Sequence, residues 1–199
     1  MVEWVLVDLE WGLYQAWREA FADVDAVTVV QGSIFEQGAG ALVSPANSFG
    51  FMDGSLDLRL SEHLGWHVER RVRERLFELH DGELPVGCAE IVATDHPEHP
   101  WLISAPTMRV PMDVSRTANA FLAFKAVLKA IKQHNHGDQP PITRVLCPGL
   151  GTGCGFMPFE RCALQMRRAW AVFMEGQVLV KGGLAAAARE HMAFVGDDG

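Results

Sequence analysis

The stretch from Ile142 to Phe173 constrains the fold more than any other part of the chain. ITRVLCP is an apolar run of strand length that passes directly into GLGTGCG, and the residues after it put Phe159, Ala163, Met166, Trp170 and Phe173 on one helical face. That spacing predicts a helix over about 159–175, with a buried strand before the glycine loop. Strand, glycine loop and helix in this order set a helix N-terminus beside closely spaced backbone amides, a geometry suited to an anion.

The same alternation runs through the rest of the sequence. VEWVLVD (2–8) reads as a strand, and Tyr14, Trp17 and Phe21 mark a helix over about 12–22. Residues 27–30 and 41–43 are further strand candidates, separated by the turn-rich QGSIFEQGAG. Residues 56–79 read as one helix, on which Arg59, Arg70, Arg71, Arg73 and Arg75 are interspersed with Glu62, Glu69, Glu74 and Glu78. So heavily neutralised a face reads as solvated and salt-bridged. CAEIVATD (88–95) and PWLISAP (100–106) read as strands around HPEHP. Phe121, Phe124, Leu128 and Ile131 mark a helix over about 117–132, with Ser115 or Thr117 as its N-cap. Strands alternating with helices predict an α/β fold. No fixed period and no linker-like stretch divides the chain, so residues 1–199 read as a single domain whose last ten or so residues, ending VGDDG, are expected to fray.

Charge, hydropathy and cysteine usage exclude several functions. Seventeen Lys and Arg against 25 Asp and Glu leave a net charge of −8, which argues against nucleic acid as a partner. No apolar run approaches the roughly 20 residues of a membrane span. MVEWVLVDLEW carries acids within its apolar stretch and lacks a basic flank, so an unprocessed, soluble, cytoplasmic protein without a membrane partner is expected. Cys88, Cys147, Cys154 and Cys162 show no Cys-x-x-Cys spacing, as suits reduced thiols. His63 and His67 are four apart on a predicted helix and His96 and His99 flank a turn, but neither pair has a third ligand nearby in sequence; no metal site is expected.

Two loops carry the candidate chemistry. Gly149 to Gly155 alternates glycine with Leu150, Thr152 and Cys154. It lacks the Lys-Ser/Thr ending of a P-loop and does not fit Gly-x-Gly-x-x-Gly, so it is either an anion-binding loop or a tight turn needing glycine for close packing. Cys154 and Arg161 have the wrong spacing for a thiol phosphatase, and Cys154 reads as part of the loop wall. The second loop, SPANSFGFMDGSLD (44–57), places Asn47, Gly50, Asp53, Gly54 and Asp57 between a strand end and a helix start. Asn47 can both donate to and accept from sugar hydroxyls, or serve as a turn residue; Asp57 offers a carboxylate at a helix start, or is a first-turn acid complementing the helix dipole.

Taken together, the loops resemble those of the macro domain family over about residues 27–175. VTVVQGSI (27–34) resembles the family's strand and Gly-Asp-Ile, and ALVSPANSFG its Val-Asn-Ala-Ala-Asn segment ending at Asn47. GSLDLRLSEHLG (54–65) is similar to the first phosphate loop, and CPGLGTGCGFMP (147–158) to the Pro-x-Ile-Ser-Thr-Gly loop. The N-terminal strand and helix (1–26), SPANSFGFMDG and PTMRVP also resemble a bacterial and phage-associated macro-like branch; residues 176–199 lie beyond the resemblance.

The resemblance implies a three-layer α/β/α sandwich with a mixed central sheet that binds ADP-ribose or a related nucleotide. It further implies hydrolysis of an ADP-ribosyl linkage, by de-ADP-ribosylation or O-acetyl-ADP-ribose deacetylation, with no cofactor; a non-catalytic nucleotide reader and a structural protein that has lost the site are the other readings. Asn47 and Asp57 would be catalytic. Ser33 and Ile34 would meet the base. The diphosphate would lie between Gly54, Ser55 and Leu56 on one side and Gly151, Thr152, Gly153, Cys154 and Gly155 on the other. Phe156 and Phe51 would wall the distal ribose. Ser33 stands where the family carries the aspartate that holds the adenine amino group, and Gly155-Phe156 inverts the family's order of aromatic and glycine.

Overall fold

The central strands are apolar at successive positions, and this decides the layering. In β1 (Glu3–Asp8), Trp4 and Leu6 enter one core while Val5 and Val7 enter another. β3 (Ala41–Ser44) divides Ala41 and Val43 from Leu42 in the same way, and β6 (Arg144–Cys147) divides Val145 and Cys147 from Leu146. Strands buried on both faces need helices on both sides of the sheet. α1 (Trp11–Ala20), α4 (Asn119–His134) and α5 (Phe159–Phe173) supply one layer; α2 (Ser55–Leu64) and α3 (His67–His80) supply the other. The result is a three-layer α/β/α sandwich, seen in a computed structural model that describes residues 2–196.

With β2 (Val27–Gln31), β4 (Glu90–Ala93) and β5 (Trp101–Ser104), the sheet has six strands in the order β2-β1-β6-β3-β5-β4. All neighbours are parallel except β4 and β5, so the sheet is mixed. β6, late in sequence, enters between β1 and β3 and joins the N-terminal strand-helix unit to the rest.

The expected helix over 56–79 is two helices. Gly65 takes φ +95° between α2 and α3, a left-handed conformation that ends α2. α3 turns Val68, Val72 and Leu76 into the core, while Arg71 pairs with Asp95 at 2.6 Å and Arg75 with Glu90 at 3.0 Å. The arginine-rich face is thus salt-bridged, and these two partners lie on and just beyond β4. Part of the stretch expected to fray is built into the fold: α6 (Leu184–Val195) is helical and packs Phe194 against Phe121; residues 197–199 lie outside the described residues. Among the described residues no helix is long and apolar enough to cross a membrane.

Candidate functional site

β3 and β6 are adjacent and parallel, but the helices that follow them pack on opposite faces of the sheet. Where connections diverge in this way, a crevice opens beyond the carboxyl ends of the strands. Here it is a cleft of about 700 Å³ whose lining comes from residues 45–57 after β3, 148–155 after β6, 32–35 after β2, 8–10 after β1, and Thr107, Met108 and Pro111 after β5. Every candidate site residue lines it except Phe156, which is 69% exposed; Phe35, Phe51 and Phe159 supply its aromatic walls. The expectation that Phe156 walls the site is corrected, because the backbone at Phe156 turns to φ +54° and carries the ring outward.

The two loops that face each other are rich in unused donors. The first turn of any helix leaves amides without intrahelical acceptors. Among the described residues, the amides of Ser55, Leu56 and Asp57 and those of Gly151 to Gly155 donate to no protein group. Ser55 takes φ +51° to begin α2 directly after Gly54, a conformation that costs a non-glycine residue energy. The glycines divide by purpose. A Cβ on Gly155 would lie 2.5 Å from the Gly151 carbonyl oxygen and 2.7 Å from Val114, so this glycine serves packing. A Cβ on Gly54 or Gly153 would meet nothing within 4 Å, although both residues line the cleft.

Asp57, in the first turn of α2, is 8% exposed and accepts a hydrogen bond from the Ser44 hydroxyl at 2.5 Å. Burial pushes its carboxyl up to about 6; the Ser44 hydrogen bond opposes that and the charge on Glu69 adds to it. Asn47 is committed locally: its Oδ1 accepts from the amides of Phe49 and Phe51 at 3.0 and 3.3 Å, and its Nδ2 donates to the Phe51 carbonyl at 2.8 Å. One amide N–H remains for another acceptor. The turn so held presents Phe51, over which the Arg73 guanidinium stacks at 4.5 Å. At the far end, the Ser33 hydroxyl oxygen accepts from the Phe35 amide at 3.3 Å, starting the 3-10 turn Ile34–Glu36, while the Ile34 amide makes no protein hydrogen bond among the described residues.

Sequence reading missed Asp8. Its carboxylate accepts from the amides of Glu10 and Gly149, each at 3.1 Å, so the end of β1 anchors the glycine loop after β6. An acid closing an apolar strand was the available signal. It also missed that His63, at the end of α2, meets His96 and His99 from the β4–β5 turn, with ring centroids 4.8 and 5.2 Å from its own. Neither histidine pair has a third ligand nearby in sequence, but the fold brings His63 from α2 to His96 and His99 of the turn, leaving His67 out of the group.

A family model described as Macro domain matches residues 43–166. An uncharacterized protein of Aquifex aeolicus (strain VF5) is 32% identical over 140 residues, covering 70% of this chain and 78% of its own. The Oceanobacillus iheyensis macrodomain with ADP superposes with a TM-score of 0.60 at 17% identity, over 82% of this chain and 84% of that one. Thermosipho africanus DarTG in complex with ADP-ribose gives 0.58 at 16% identity, over 74% of this chain and 38% of that longer one. At such identities the two structures share the fold.

Proposed function

This chain belongs to the macro domain family, and on that footing we propose that its cleft binds ADP-ribose or a related ADP-ribosyl nucleotide and hydrolyses an ADP-ribosyl linkage. The observation that carries the reading is that two banks of unused amides, Ser55 to Asp57 and Gly151 to Gly155, line one cleft together with the buried Asp57 carboxylate. Amides converging at a helix N-terminus suit a diphosphate. The open space above Gly54 and Gly153 lets phosphate oxygens approach the backbone. Ser33 and the Ile34 amide then lie at the base end, and Phe51 at the distal ribose. The related Thermosipho africanus DarTG, which shares the fold over 38% of its chain, is in complex with ADP-ribose.

In hydrolysis, Asp57 orients a water and takes its proton as the water oxygen bonds to the anomeric carbon or ester carbonyl and the linkage to the modified group breaks. A carboxyl raised to about 6 is a stronger base than an ordinary aspartate while still ionised at neutral pH. Asn47 donates its remaining N–H to a distal ribose hydroxyl. The competing reading, a reader that binds without turnover, is favoured by the commitment of Asn47 to its own turn. Calorimetric titration with ADP-ribose, with AMP and NAD as controls, tests binding. Release of ADP-ribose from a modified protein tests hydrolysis: Asn47→Ala and Asp57→Asn are each expected to lower turnover by about 10². Binding without turnover by the wild type would establish the reader, and no binding at millimolar ligand would overturn both readings.

A further inference from the structure

The histidine group lies behind the cleft, where the His63 ring packs at 4.8 Å on the Phe35 ring that walls it. His99 Nδ1 donates to the carbonyl of Gly40, the residue before β3 begins, whereas the cleft opens after β3 ends. We propose that His63, His96 and His99 form a binding site for a divalent transition-metal ion of the zinc class, which ties the end of α2 to the β4–β5 turn.

Three observations carry this. The three ring-nitrogen ligand atoms all lie within 4.8 Å of one another. Tetrahedral zinc with bonds of about 2.0–2.1 Å needs donors roughly 3.3 Å apart, so the rings have to close by about 1.5 Å at most, a shift that falls on the side chains and on the β4–β5 turn. Second, His63 Nε2 is buried and has no hydrogen-bond partner. An unsatisfied buried polar atom is costly, and a cation at the centre of the group would satisfy it. Third, the donation from His99 Nδ1 to Gly40 sets the ring's tautomer, leaving Nε2 with a free lone pair. A backbone carbonyl behind a ligating imidazole is the usual support for such a ligand.

The donor set selects the ion. Three imidazoles suit zinc, cobalt or nickel, whereas magnesium and calcium require oxygen ligands. Water takes a fourth position. His96 is the adjustable member, since its Nδ1 accepts from the amides of Glu98 and His99 at 3.3 Å each. Those are long hydrogen bonds, and ligation through Nε2 requires the ring proton to move to Nδ1 and the turn to release both contacts. His96 is therefore the ligand whose engagement rearranges the turn.

The test uses the full, untagged chain after chelator treatment and dialysis, titrated calorimetrically with zinc chloride. One equivalent per chain is expected, at about 1 µM or tighter. His63→Gln and His96→Gln should each weaken binding at least about tenfold, while His191→Gln, exposed on α6, should leave it unchanged. Should either cluster variant fail to fold, the visible spectrum of the cobalt-loaded wild type decides the matter. Intense four-coordinate bands lost on adding zinc support the site, and weak octahedral bands overturn it. Absence of stoichiometric zinc binding by the wild type, or wild-type affinity in both folded cluster variants, would equally overturn it.

Discussion

Replacing Asp57 with asparagine should stabilise the fold at neutral pH while removing the base. The folded-state carboxyl ionises at about 6 against an ordinary value of 3.8. Between those values the folded chain holds a proton that the unfolded chain has released, so stability falls as pH rises through this window. At about 1.36 kcal/mol per unit, the wild type carries a penalty of about 3 kcal/mol at pH 7, about 1.5 at pH 5 and about 0.5 at pH 4. Asparagine cannot ionise and keeps an oxygen for the Ser44 hydroxyl, so Asp57→Asn escapes the penalty. Its new amide hydrogens need acceptors, but that cost does not vary with pH and cancels in a comparison across pH. Urea unfolding of both proteins at pH 4, 5 and 7 should show the variant's relative stability rising by about 2.5 kcal/mol from pH 4 to pH 7. At pH 7 the full gain corresponds to roughly 6–12 °C in Tm for a chain of this size. A difference constant within about 0.5 kcal/mol over that range would refute the reasoning, because burial would then not be raising the Asp57 carboxyl.

The two glycine classes make opposite predictions. Gly155→Ala should cost about 1–3 kcal/mol or more by denaturant unfolding, because its Cβ meets backbone 2.5 Å away; Gly153→Ala should unfold like the wild type yet weaken ADP-ribose at least about tenfold by calorimetry. Ser33→Asp should tighten adenine-containing ligands by about tenfold over the wild type in the same titration, since a carboxylate accepts from an amino group more strongly than a hydroxyl already engaged by the Phe35 amide. In a thiol-reagent assay Cys88 and Cys154, both exposed, should react first, whereas Cys147 and Cys162 should react only on unfolding, since burial raises the former well above the usual thiol range and the latter to about 12.

The alternation of strands and helices was legible from periodicity, whereas the double covering of the sheet came only with the family resemblance, although Trp4, Val5, Leu6 and Val7 leave no polar position on either face of their strand. The break at Gly65 was not legible, since its helix-period neighbours continue through it and only the left-handed backbone marks the end of α2. α6 was missed for the opposite reason. Its alanine-rich LAAAARE favours a helix by propensity yet offers little apolar periodicity, and only Phe194 and Val195 reach the core. In the cleft, the loops were readable as glycine patterns, but the two kinds of glycine were not, because Gly153 and Gly155 differ only in what stands beside them. Phe156 was misplaced because a sequence gives the order of loop residues and not the sign of φ.

The charge of the cleft explains why its donors must be backbone groups. Asp8, Glu10, Asp53 and Asp57 line it, with Arg59 as the one cationic side chain among the described lining residues, and that guanidinium lies over the Phe35 ring at 5.5 Å. A diphosphate approaching such a surface meets net repulsion at long range, which screening reduces to about 8–10 Å at physiological salt. Inside that distance fixed dipoles decide the matter, and the eight amides of the two loops are aimed by the fold itself. The loop carrying five of them is anchored at Asp8, whose carboxylate holds the Gly149 amide. An acid that raises the local negative charge thus also anchors the loop bearing donors that overcome it. This makes the N-terminal strand an integral wall of the site, although the family model's match begins only at Val43.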